Sequence, residues 1–488
     1  MSLKKKGVES VKWTLIENLI VQGFAFVTTI LLTRILLPED FGLIGVIMVF
    51  LTISKAIIDS GLGTSLIKDN DADDHDFSTV FFANIGVSIV LYLILFISAP
   101  SIAVFFEDNR LTQLLRVLSF GLILSAASSI QTKILIKNLN FKKLTILRLP
   151  GIFLGSIIAI YCAYSGLSYW SLVIKELVTL SLDALVLWTK AGWKPKWVFH
   201  KEKFKYHFNY GYKLMLTSIL DSVFSEVYAL VIGKFFSINT LGYYNRANRF
   251  MKLPRRLLIN VVTKPTFPLI SKIKEDKEKV GVLYRKMIRG LFFIVAPTFV
   301  ILATISEPLF NLLLTDKWGD TIVYFQILCL GSILYPVLSF NHNIFKVYDR
   351  TDLTLKLALF KKLLVAIVVV VGVSLGSMQA LLWGMVISTY LAFFINSWYS
   401  KKMINYSSWQ QIKDLFPTLT SSIITGSTGY LIIETRLFEL DILNLSISLV
   451  IMSTIYIALS IIIKNKGLLD FKTLVSPFLE TRLKKFKK

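Results

Sequence analysis

The sequence predicts an all-α integral membrane protein with about fourteen transmembrane helices. Of its 488 residues, 54% are hydrophobic, and the mean hydropathy of +0.64 lies well above that of soluble globular proteins. Apolar runs of about 20 residues, each long enough to cross a bilayer, recur along the whole chain. A transmembrane β-barrel would instead show alternating segments of about ten residues.

Hydropathy and loop signals place the spans in order along the chain. The first follows a basic N-terminus that lacks the short apolar core and cleavage site of a signal peptide, so we expect it to remain in the mature protein. The predicted spans cover residues 13–36, 41–65, 78–106, 111–136, 144–165, 168–190, 208–236, 239–269, 285–314, 320–346, 353–375, 378–400, 414–434 and 442–464.

The distribution of charge predicts the orientation of these spans. Alternate loops, such as 137–143 and 190–207, hold roughly thirty basic residues against about five in the others, so the positive-inside rule places both termini in the cytoplasm. The acidic loop at 68–79 falls on the same side, because acidic residues contribute little to orientation. The net charge of +23 therefore predicts basic membrane-facing loops and no nucleic-acid partner.

The sequence lacks motifs of soluble-type catalysis. Cys162 and Cys329 lie in separate predicted spans, and the histidines, with His200 and His207 placed in loops, lack zinc-site spacing. The chain has no P-loop, dinucleotide fingerprint or nucleophile elbow. We therefore predict a transporter that is not an enzyme and has no cofactor, driven by an ion gradient, the membrane potential or downstream trapping.

A shift of 200 residues aligns the two halves of the chain. It places Gly42 over Gly242 and Lys55 over Arg255, and six spans per half give both halves the same orientation. Parallel repeats of this kind build transporters whose substrate site lies between the halves. The predicted parts are an N-terminal lobe at 1–200, a C-terminal lobe at 201–405, two further spans at 406–465 and a basic cytoplasmic tail at 466–488.

The second span of the second half carries five cations: Arg246, Arg249, Lys252, Arg255 and Arg256. Their spacing of three or four residues predicts a single stripe along one helical face, from roughly 10 to 25 Å deep. Charged side chains at the lower end of such a stripe can extend to the membrane interface, but those at its upper end can hardly reach it. We therefore predict a water-filled cavity that binds an anion, and paired guanidinium hydrogen bonds suit phosphate.

Two charges also interrupt the second span of the first half. In "FLTISKAIIDSGLG", residues 50–63, Lys55 and Asp59 lie one turn apart among isoleucines. One interpretation is an intrahelical ion pair, which lowers the cost of burial. The other is that Lys55 faces the same cavity as Arg255, with Asp59 orienting it or binding a coupling cation. Both interpretations stay open at this point.

Several other intramembrane charges are candidates for function. Arg34 and Lys234 occupy equivalent external ends of spans, where they either extend the cationic cavity or anchor the helix at the interface. Lys175, Glu176 and Asp183 are expected to be paired or near helix ends. Membrane carboxylates are typical sites of H⁺ or Na⁺ binding, which makes coupling candidates of Glu17, Asp59, Asp221 and Glu226.

A family resemblance rests on five segments. These are the region 13–23, "TRILLPEDFGLIGV" at 33–46, "IIDSGLGTSLI" at 57–67, "LGYYNRANRFMKLP" at 241–254 and "FP" at 267–268. The chain resembles the polysaccharide transporters of the MOP flippase superfamily, within the Wzx-type group that includes exporters of colanic and teichuronic acid. The likeness extends through essentially the whole chain.

The resemblance implies a two-lobed MOP/MATE-like fold and a function. Such proteins flip an undecaprenyl-pyrophosphate-linked oligosaccharide to the outer leaflet of the bacterial plasma membrane, by alternating access through a cationic cavity. The polymerase and chain-length proteins of the same pathway are the implied partners. A lipid II flippase is the alternative, and a multidrug cation antiporter of the superfamily fits less well because its cavity favours acidic residues. A membrane glycosyltransferase would need external carboxylates or a large loop.

Overall fold

The structure is a computed structural model that describes residues 20–59, 61–273, 275–348, 350–435 and 441–474. Apart from one 3₁₀ turn at Asp316–Trp318, every regular element in these ranges is an α-helix, which confirms the all-α class. The helices are α1 (Ile20–Ile35), α2 (Pro38–Asp59), α3 (Leu62–Lys68), α4 (Asp74–Phe106), α5 (Arg110–Ser119), α6 (Gly121–Lys137), α7 (Phe141–Tyr164), α8 (Trp170–Lys190), α9 (Lys201–Phe235), α10 (Ile238–Lys272), α11 (Lys277–Thr304), α12 (Ser306–Leu313), α13 (Gly319–Ser332), α14 (Tyr335–Val347), α15 (Thr351–Ser374), α16 (Met378–Ile404), α17 (Ser408–Glu434), α18 (Asp441–Ile462) and α19 (466–474).

Membrane-spanning length and apolarity are found in 10 helical segments of the described ranges. These segments match ten of the fourteen predicted spans and confirm a multi-pass membrane protein. The other four predicted spans coincide with α1, α8, α10 and α17. Of these, α8 and α10 carry several charges, α17 is rich in serine and threonine, and α1 is described only from Ile20. The count of fourteen stays a prediction.

The predicted span at 41–65 is a helix with a break in it. Gly61, between α2 and α3, has φ +69°, a left-handed conformation that glycine adopts without strain. A Cβ atom at Gly61 would lie 2.6 Å from the carbonyl oxygen of Gly211 in α9. The break therefore lets α9 approach the backbone closely at the end of α2.

The chain divides into two compact units, Met1–Gly242 and Tyr243–Lys488. The first unit includes α9, which packs against α2, α3 and α4, although the sequence assigned residues 201–235 to the second lobe. Compact units reflect spatial contacts, whereas the predicted lobes reflect the internal repeat. The boundaries drawn from the repeat, with lobes at 1–200 and 201–405 followed by two C-terminal segments, remain a prediction.

Close packing in the first unit uses the glycines of "GIFLG" at 151–155. A Cβ atom at Gly155 would lie 2.3 Å from Thr179 Oγ1 in α8, and one at Gly151 would lie 2.6 Å from Asp183 Oδ1. Only a residue without a side chain leaves room for this approach of α7 and α8. The G-x-x-x-G spacing of these residues therefore serves helix packing.

Two glycines related by the repeat make a reciprocal contact inside the first unit. A Cβ atom at Gly42 would lie 1.9 Å from the carbonyl oxygen of Ile238, and one at Gly242 would lie 1.9 Å from the carbonyl oxygen of Pro38. The first turns of α2 and α10 thus cross with backbone against backbone. Each glycine faces the first residue of the other helix.

The "PED" segment at 38–40, the first turn of α2, is held by side-chain contacts. The backbone amide of Leu37 donates to Asp40 Oδ2 at 2.8 Å, and the Ser168 hydroxyl donates to the other oxygen of the same carboxylate. Arg110 at the start of α5 pairs with Glu39. These contacts give the acidic residues of this motif a structural role at the ends of helices.

The acidic loop before α4 caps that helix and binds α9. Asp73 and Asp76 form a capping box at the N-terminus of α4. Lys203 of α9 lies 2.9 Å from Asp73 Oδ1 and 2.7 Å from Asp76 Oδ2. The negative charge of this loop is thus partly neutralised by the next long helix of the unit.

His207 belongs to the same contact, and its predicted position in a loop is wrong. It lies inside α9 and is fully buried, while His200 directly precedes that helix. The His207 ring bonds the Ser65 hydroxyl at 2.8 Å through Nδ1 and Asp76 Oδ1 at 3.2 Å through Nε2. The apolar stretch that follows marks where α9 enters the membrane, but the helix itself begins several residues earlier.

We expect the Asp73 contact to make the protein sensitive to acid. Burial raises the pKa of Asp73, but hydrogen bonds from Lys203 and the Asp76 amide outweigh it and lower the pKa well below its ordinary value. Its contribution to stability is therefore complete above the unfolded-state pKa of about 3.9 and is lost as the pH falls towards the folded-state value. Thermal unfolding of the purified protein between pH 6 and pH 3 measures this loss.

Asp73→Asn is the matched variant, since asparagine also caps a helix but carries no charge. It should lower the unfolding midpoint at neutral pH and flatten its decline below about pH 4. Equal slopes for wild type and Asp73→Asn would contradict this assignment.

Two arginines of α11, Arg285 and Arg289, tie the C-terminal helices to it in the second unit. Asp414 of α17 accepts from Arg285, with Nη2 at 2.7 Å, and from the hydroxyl of Tyr406 at 2.8 Å. Arg289 lies 3.7 Å from Asp414 and donates through Nε to Asp470 of α19 at 2.7 Å. α17 and α19 therefore belong to the fold of this unit and are not loose appendages.

Candidate functional site

The five cations of α10 differ in exposure. Arg246 is 6% exposed and Arg255 is half-buried, whereas Arg249, Lys252 and Arg256 are exposed. A step of three residues falls about 60° short of a full helical turn, so repeated steps drift around the helix. The single stripe predicted for all five is wrong. Arg249, Lys252 and Arg256 form an exposed cationic face, and the other two flank it on opposite sides.

Arg255 has a defined partner in the same unit. Its guanidinium carbon lies 4.2 Å from the ring centroid of Tyr335, the first residue of α14. This distance is well within the range of a cation–π interaction. Tyr335 therefore fixes the orientation of Arg255 beside the exposed cationic face.

Lys55 and Asp59 have separate partners on other helices. Lys55 Nζ lies 3.6 Å from Glu176 Oε1 in α8, and Asp59 Oδ1 lies 3.0 Å from Lys133 Nζ in α6. The intrahelical pair considered above is therefore wrong, because each charge meets a closer partner across a helix interface. The expected pairing of Glu176 is confirmed. A cavity shared by Lys55 and Arg255 remains a prediction.

A pocket of about 510 Å³ lies between α2 and α9, within the first unit. We call it the α2–α9 pocket. The charges of Lys55 and Asp59 reach it, and both are held in ion pairs. The other polar groups along its wall are the hydroxyls of Thr52, Thr64, Ser218 and Ser222.

This pocket lies within the segment Pro38–Lys68, which is long and apolar enough to cross a membrane. Along α2, Lys55 lies ~26 Å from Pro38, at 1.5 Å per residue, and Asp59 is the last residue of that helix. The side chains of Lys55 and Asp59 are 39% and 60% exposed. Charges at this depth are stable only beside water or polar groups, so the pocket is polar and hydrated.

The two cations at external helix ends have different surroundings. Lys234 Nζ lies 2.8 Å from Glu107 Oε1, and this hydrogen bond lowers the pKa of the Glu107 carboxyl. Lys234 also lies 5.1 Å from the ring centroid of Phe105. These contacts favour the interface-anchor interpretation for Lys234. Arg34 is exposed near the end of α1, and its role remains a prediction.

The carboxylates proposed for ion coupling do not converge on one place. Asp221 is exposed and Glu226 is half-buried on α9, and Asp59 is engaged by Lys133. Glu17 lies outside the described residues. Within the described part of the chain, no group of three or more His, Cys, Asp or Glu side chains could hold a metal ion. Coupling through any of these carboxylates remains a prediction.

Residues 31–323, more than half of the chain, match the family described as polysaccharide biosynthesis protein. The chain belongs to this family. The match includes α2–α9 and all five cations of α10, so the family's pattern covers both the α2–α9 pocket and the exposed cationic face.

Named relatives of this polysaccharide biosynthesis protein extend the match. The chain is 23% identical to the lipopolysaccharide biosynthesis protein WzxC of Escherichia coli strain K12, over 81% of this chain and 82% of WzxC. It is 24% identical to the teichuronic acid biosynthesis protein TuaB of Bacillus subtilis strain 168, over 81% and 83%. It is also 24% identical to the succinoglycan biosynthesis transport protein ExoT of Rhizobium meliloti, over 69% and 68%.

Solved structures show which fold this family member adopts. The lipid II flippase MurJ in an inward closed conformation matches with a TM-score of 0.75 at 17% identity, over 93% of this chain and 98% of MurJ. An inward-facing multidrug resistance transporter of the MATE family matches with a TM-score of 0.63 at 16% identity, over 81% and 98%. The polysaccharide biosynthesis protein therefore has the fold of MOP superfamily transporters.

Sequence reasoning about this family member missed Lys133 as a partner of the second span. Lys133 lies in a predicted span and forms the ion pair with Asp59, and the neighbouring Thr132 accepts a hydrogen bond from Arg148 at 3.2 Å. A lysine within an apolar span was the available signal. Its partner could not be named, because Asp59 and Lys133 are far apart in sequence.

Proposed function

We propose that this protein flips an undecaprenyl-pyrophosphate-linked oligosaccharide from the cytoplasmic to the outer leaflet of the bacterial plasma membrane. The coarser statement, that it is a multi-pass member of a polysaccharide biosynthesis family with a transporter fold, is already given by the family match and the fold. The substrate and the alternating-access mechanism are the proposal.

The observation that carries this proposal is the exposed cationic face of α10. Arg249, Lys252 and Arg256 present three permanent positive charges from a helix that also bears Arg246 and Arg255. Cations on a membrane helix are stable where they face water or polar groups, and such a cationic surface attracts anions. A pyrophosphate supplies that charge, and its oxygens match the hydrogen-bonding fork of arginine. The polyprenyl chain would remain in the lipid.

The proposal extends to orientation, energy and partners. The basic loops support cytoplasmic termini, and the plasma membrane is where a lipid-linked glycan would be flipped. Coupling to H⁺ or Na⁺ would use Asp221 or Glu226 of α9, which are membrane carboxylates. A polymerase and a chain-length protein would receive the flipped substrate on the outer side.

Lipid II is the alternative substrate, and the likeness to MurJ in fold is the observation that favours it. Lipid II also carries a pyrophosphate, so the exposed cationic face alone does not discriminate between the two. Two relatives that each cover 81% of this chain are named for lipopolysaccharide and teichuronic acid biosynthesis, which supports the oligosaccharide. Rescue of cells depleted of their lipid II flippase, with no rescue of polysaccharide export, would instead support lipid II.

We expect Arg249→Ala to reduce polysaccharide export by about 10- to 100-fold, the loss associated with one hydrogen-bonded charge. Arg249→Lys should lie between Ala and wild type, since lysine keeps the charge but loses the paired geometry. The measurement is surface polysaccharide in a host that lacks its own exporter and is rescued by the wild-type chain. Membrane levels of each variant are compared by immunoblotting.

The matched control is Arg116→Ala. This arginine of α5 hydrogen-bonds the Phe96 carbonyl oxygen at 3.2 Å in the first unit and is not part of the exposed cationic face. It should export normally. Because neighbouring cations can compensate for one another, the double variant Arg249→Ala/Arg256→Ala is included. Normal surface polymer from that double variant would exclude the exposed cationic face as the substrate site.

A further inference from the structure

We propose that the α2–α9 pocket is the subsite for the sugar part of the substrate, and that it takes an uncharged, polyhydroxylated glycan residue. The inference rests on the proposed function and assigns a different part of the same substrate to a different unit of the protein. It also changes the expected role of Lys55, from a pyrophosphate ligand to a side chain of the sugar site.

The charge of the α2–α9 pocket argues against an anion. Lys55 is paired with Glu176 at 3.6 Å and Asp59 with Lys133 at 3.0 Å, so two positive and two negative groups balance. A pyrophosphate placed beside Lys55 would also lie beside Glu176 and Asp59, and like charges at short range repel strongly away from bulk water. A neutral ligand meets no such repulsion.

The wall of the pocket matches the surface of a sugar. Thr64, Ser218 and Ser222 present hydroxyl groups, each able to donate one hydrogen bond and accept two, which is also the capacity of a sugar hydroxyl. The Thr52 hydroxyl donates to the Met48 carbonyl oxygen at 2.7 Å and therefore offers the pocket only an acceptor. The ammonium group of Lys55 supplies further hydrogen-bond donors, and its ion pair with Glu176 leaves no net charge. Ala56 and Leu214 provide apolar surface for the C–H face of a pyranose ring.

The size and depth of the pocket agree with this assignment. Its volume of about 510 Å³ falls within the range of small-molecule sites and exceeds the need of one sugar ring. It lies within the candidate span Pro38–Lys68, and transporters of repeated architecture bind their substrates within the membrane. A hydrated pocket within the membrane offers a polar glycan water and hydrogen-bonding groups, which the hydrocarbon of the bilayer lacks.

The test uses the full-length protein in lipid nanodiscs with two kinds of soluble probe. The first is a panel of methyl glycosides of glucose, galactose, rhamnose and N-acetylglucosamine, and the second is inorganic pyrophosphate. Binding is measured by saturation-transfer NMR titration. We expect at least one glycoside to bind the wild-type protein, and the double variant Ser218→Ala/Ser222→Ala to weaken that binding about tenfold, the effect of two lost hydrogen bonds.

Matched variants separate this inference from the proposed function. Ser225→Ala removes a hydroxyl of the same helix that is bonded to the Ser222 carbonyl oxygen at 2.9 Å, outside the pocket, and should leave glycoside binding unchanged. Thr64→Val tests the pocket independently from α3. Arg249→Ala/Arg256→Ala should abolish pyrophosphate binding and preserve glycoside binding. If that double variant retains pyrophosphate binding, the proposed function fails while the sugar assignment stands.

Three results would overturn the sugar assignment. One is the absence of saturable binding of every glycoside to the wild-type protein. Another is unchanged glycoside affinity in both Ser218→Ala/Ser222→Ala and Thr64→Val. The third is loss of pyrophosphate binding in the serine variant, which would make the α2–α9 pocket an anion site.

Discussion

Gly42→Ala is expected to destabilise the protein by at least about 2 kcal/mol and to abolish export, although alanine is the better helix former. A Cβ atom at this position would lie 1.9 Å from the carbonyl oxygen of Ile238, which is a backbone atom and cannot rotate away. The first turns of α2 and α10 would have to separate. Gly242→Ala should behave alike, since its Cβ atom would lie 1.9 Å from the carbonyl oxygen of Pro38.

Gly86→Ala is the matched control for this pair. Gly86 is an exposed residue within α4, and a Cβ atom there meets nothing within 4 Å. Alanine should therefore stabilise that helix by about 0.5–1 kcal/mol. Thermal unfolding of the detergent-solubilised proteins, together with surface polysaccharide in cells, measures the two opposite effects. If Gly42→Ala proves as stable as Gly86→Ala, the helices do not cross as described.

Asp414→Ala is expected to cost about 2–3 kcal/mol, less than the penalty for a fully buried ion pair, because water can reach Arg285 and Arg289 keeps Asp470. The Asp414 side chain is 9% exposed; its hydrogen-bonded partner Arg285 is 41% exposed, and Arg289, 3.7 Å away, is 11% exposed. Without the carboxylate, the arginines keep their charge but lose a hydrogen-bonded counter-charge. The contact between α11 and α17 should loosen, which limited proteolysis after α16 would detect alongside a lower unfolding midpoint.

Two further variants make the Asp414 experiment specific. Asp414→Asn keeps the size and the hydrogen bond from Tyr406 but loses the charge, so its cost should fall between those of wild type and Asp414→Ala. Asp74→Ala removes an ion pair with Lys196 in which both side chains are about half exposed, and it should cost under about 1 kcal/mol. An Asp414→Ala protein as stable as Asp74→Ala would refute the assigned role of this network.

The fold class was predictable from the chain because hydrophobicity is a property of composition and local order. Runs of about 20 apolar residues are long enough to span a bilayer wherever they occur, and 10 such helices lie in the described ranges. The segments "LLPEDFGLIG" and "LGYYNRANRF" carried the family resemblance, which the match over residues 31–323 confirms. Helix ends were less predictable, as His207 shows, because α9 extends beyond its apolar part.

The positions of the five cations around the α10 axis follow from their spacing in the sequence and the geometry of an α-helix. Steps of three residues drift by about 60° each, so Arg246 and Arg255 differ by half a turn around the axis. Which of the two sides is buried depends on the surroundings of the helix. Tyr335 contacts Arg255, and neither its place nor its ring orientation is encoded near residue 255.

The partners of Lys55 and Asp59 were decided by tertiary structure alone. Spacing of four residues on one helix predicts contact between them, but Coulomb energy depends on distance in space and favours whichever opposite charge comes closest. The fold brings Glu176 of α8 and Lys133 of α6 within 4 Å of these two side chains. The chain therefore encodes the charges and the membrane spans locally, whereas the neutral pocket between α2 and α9 exists only because distant helices meet there.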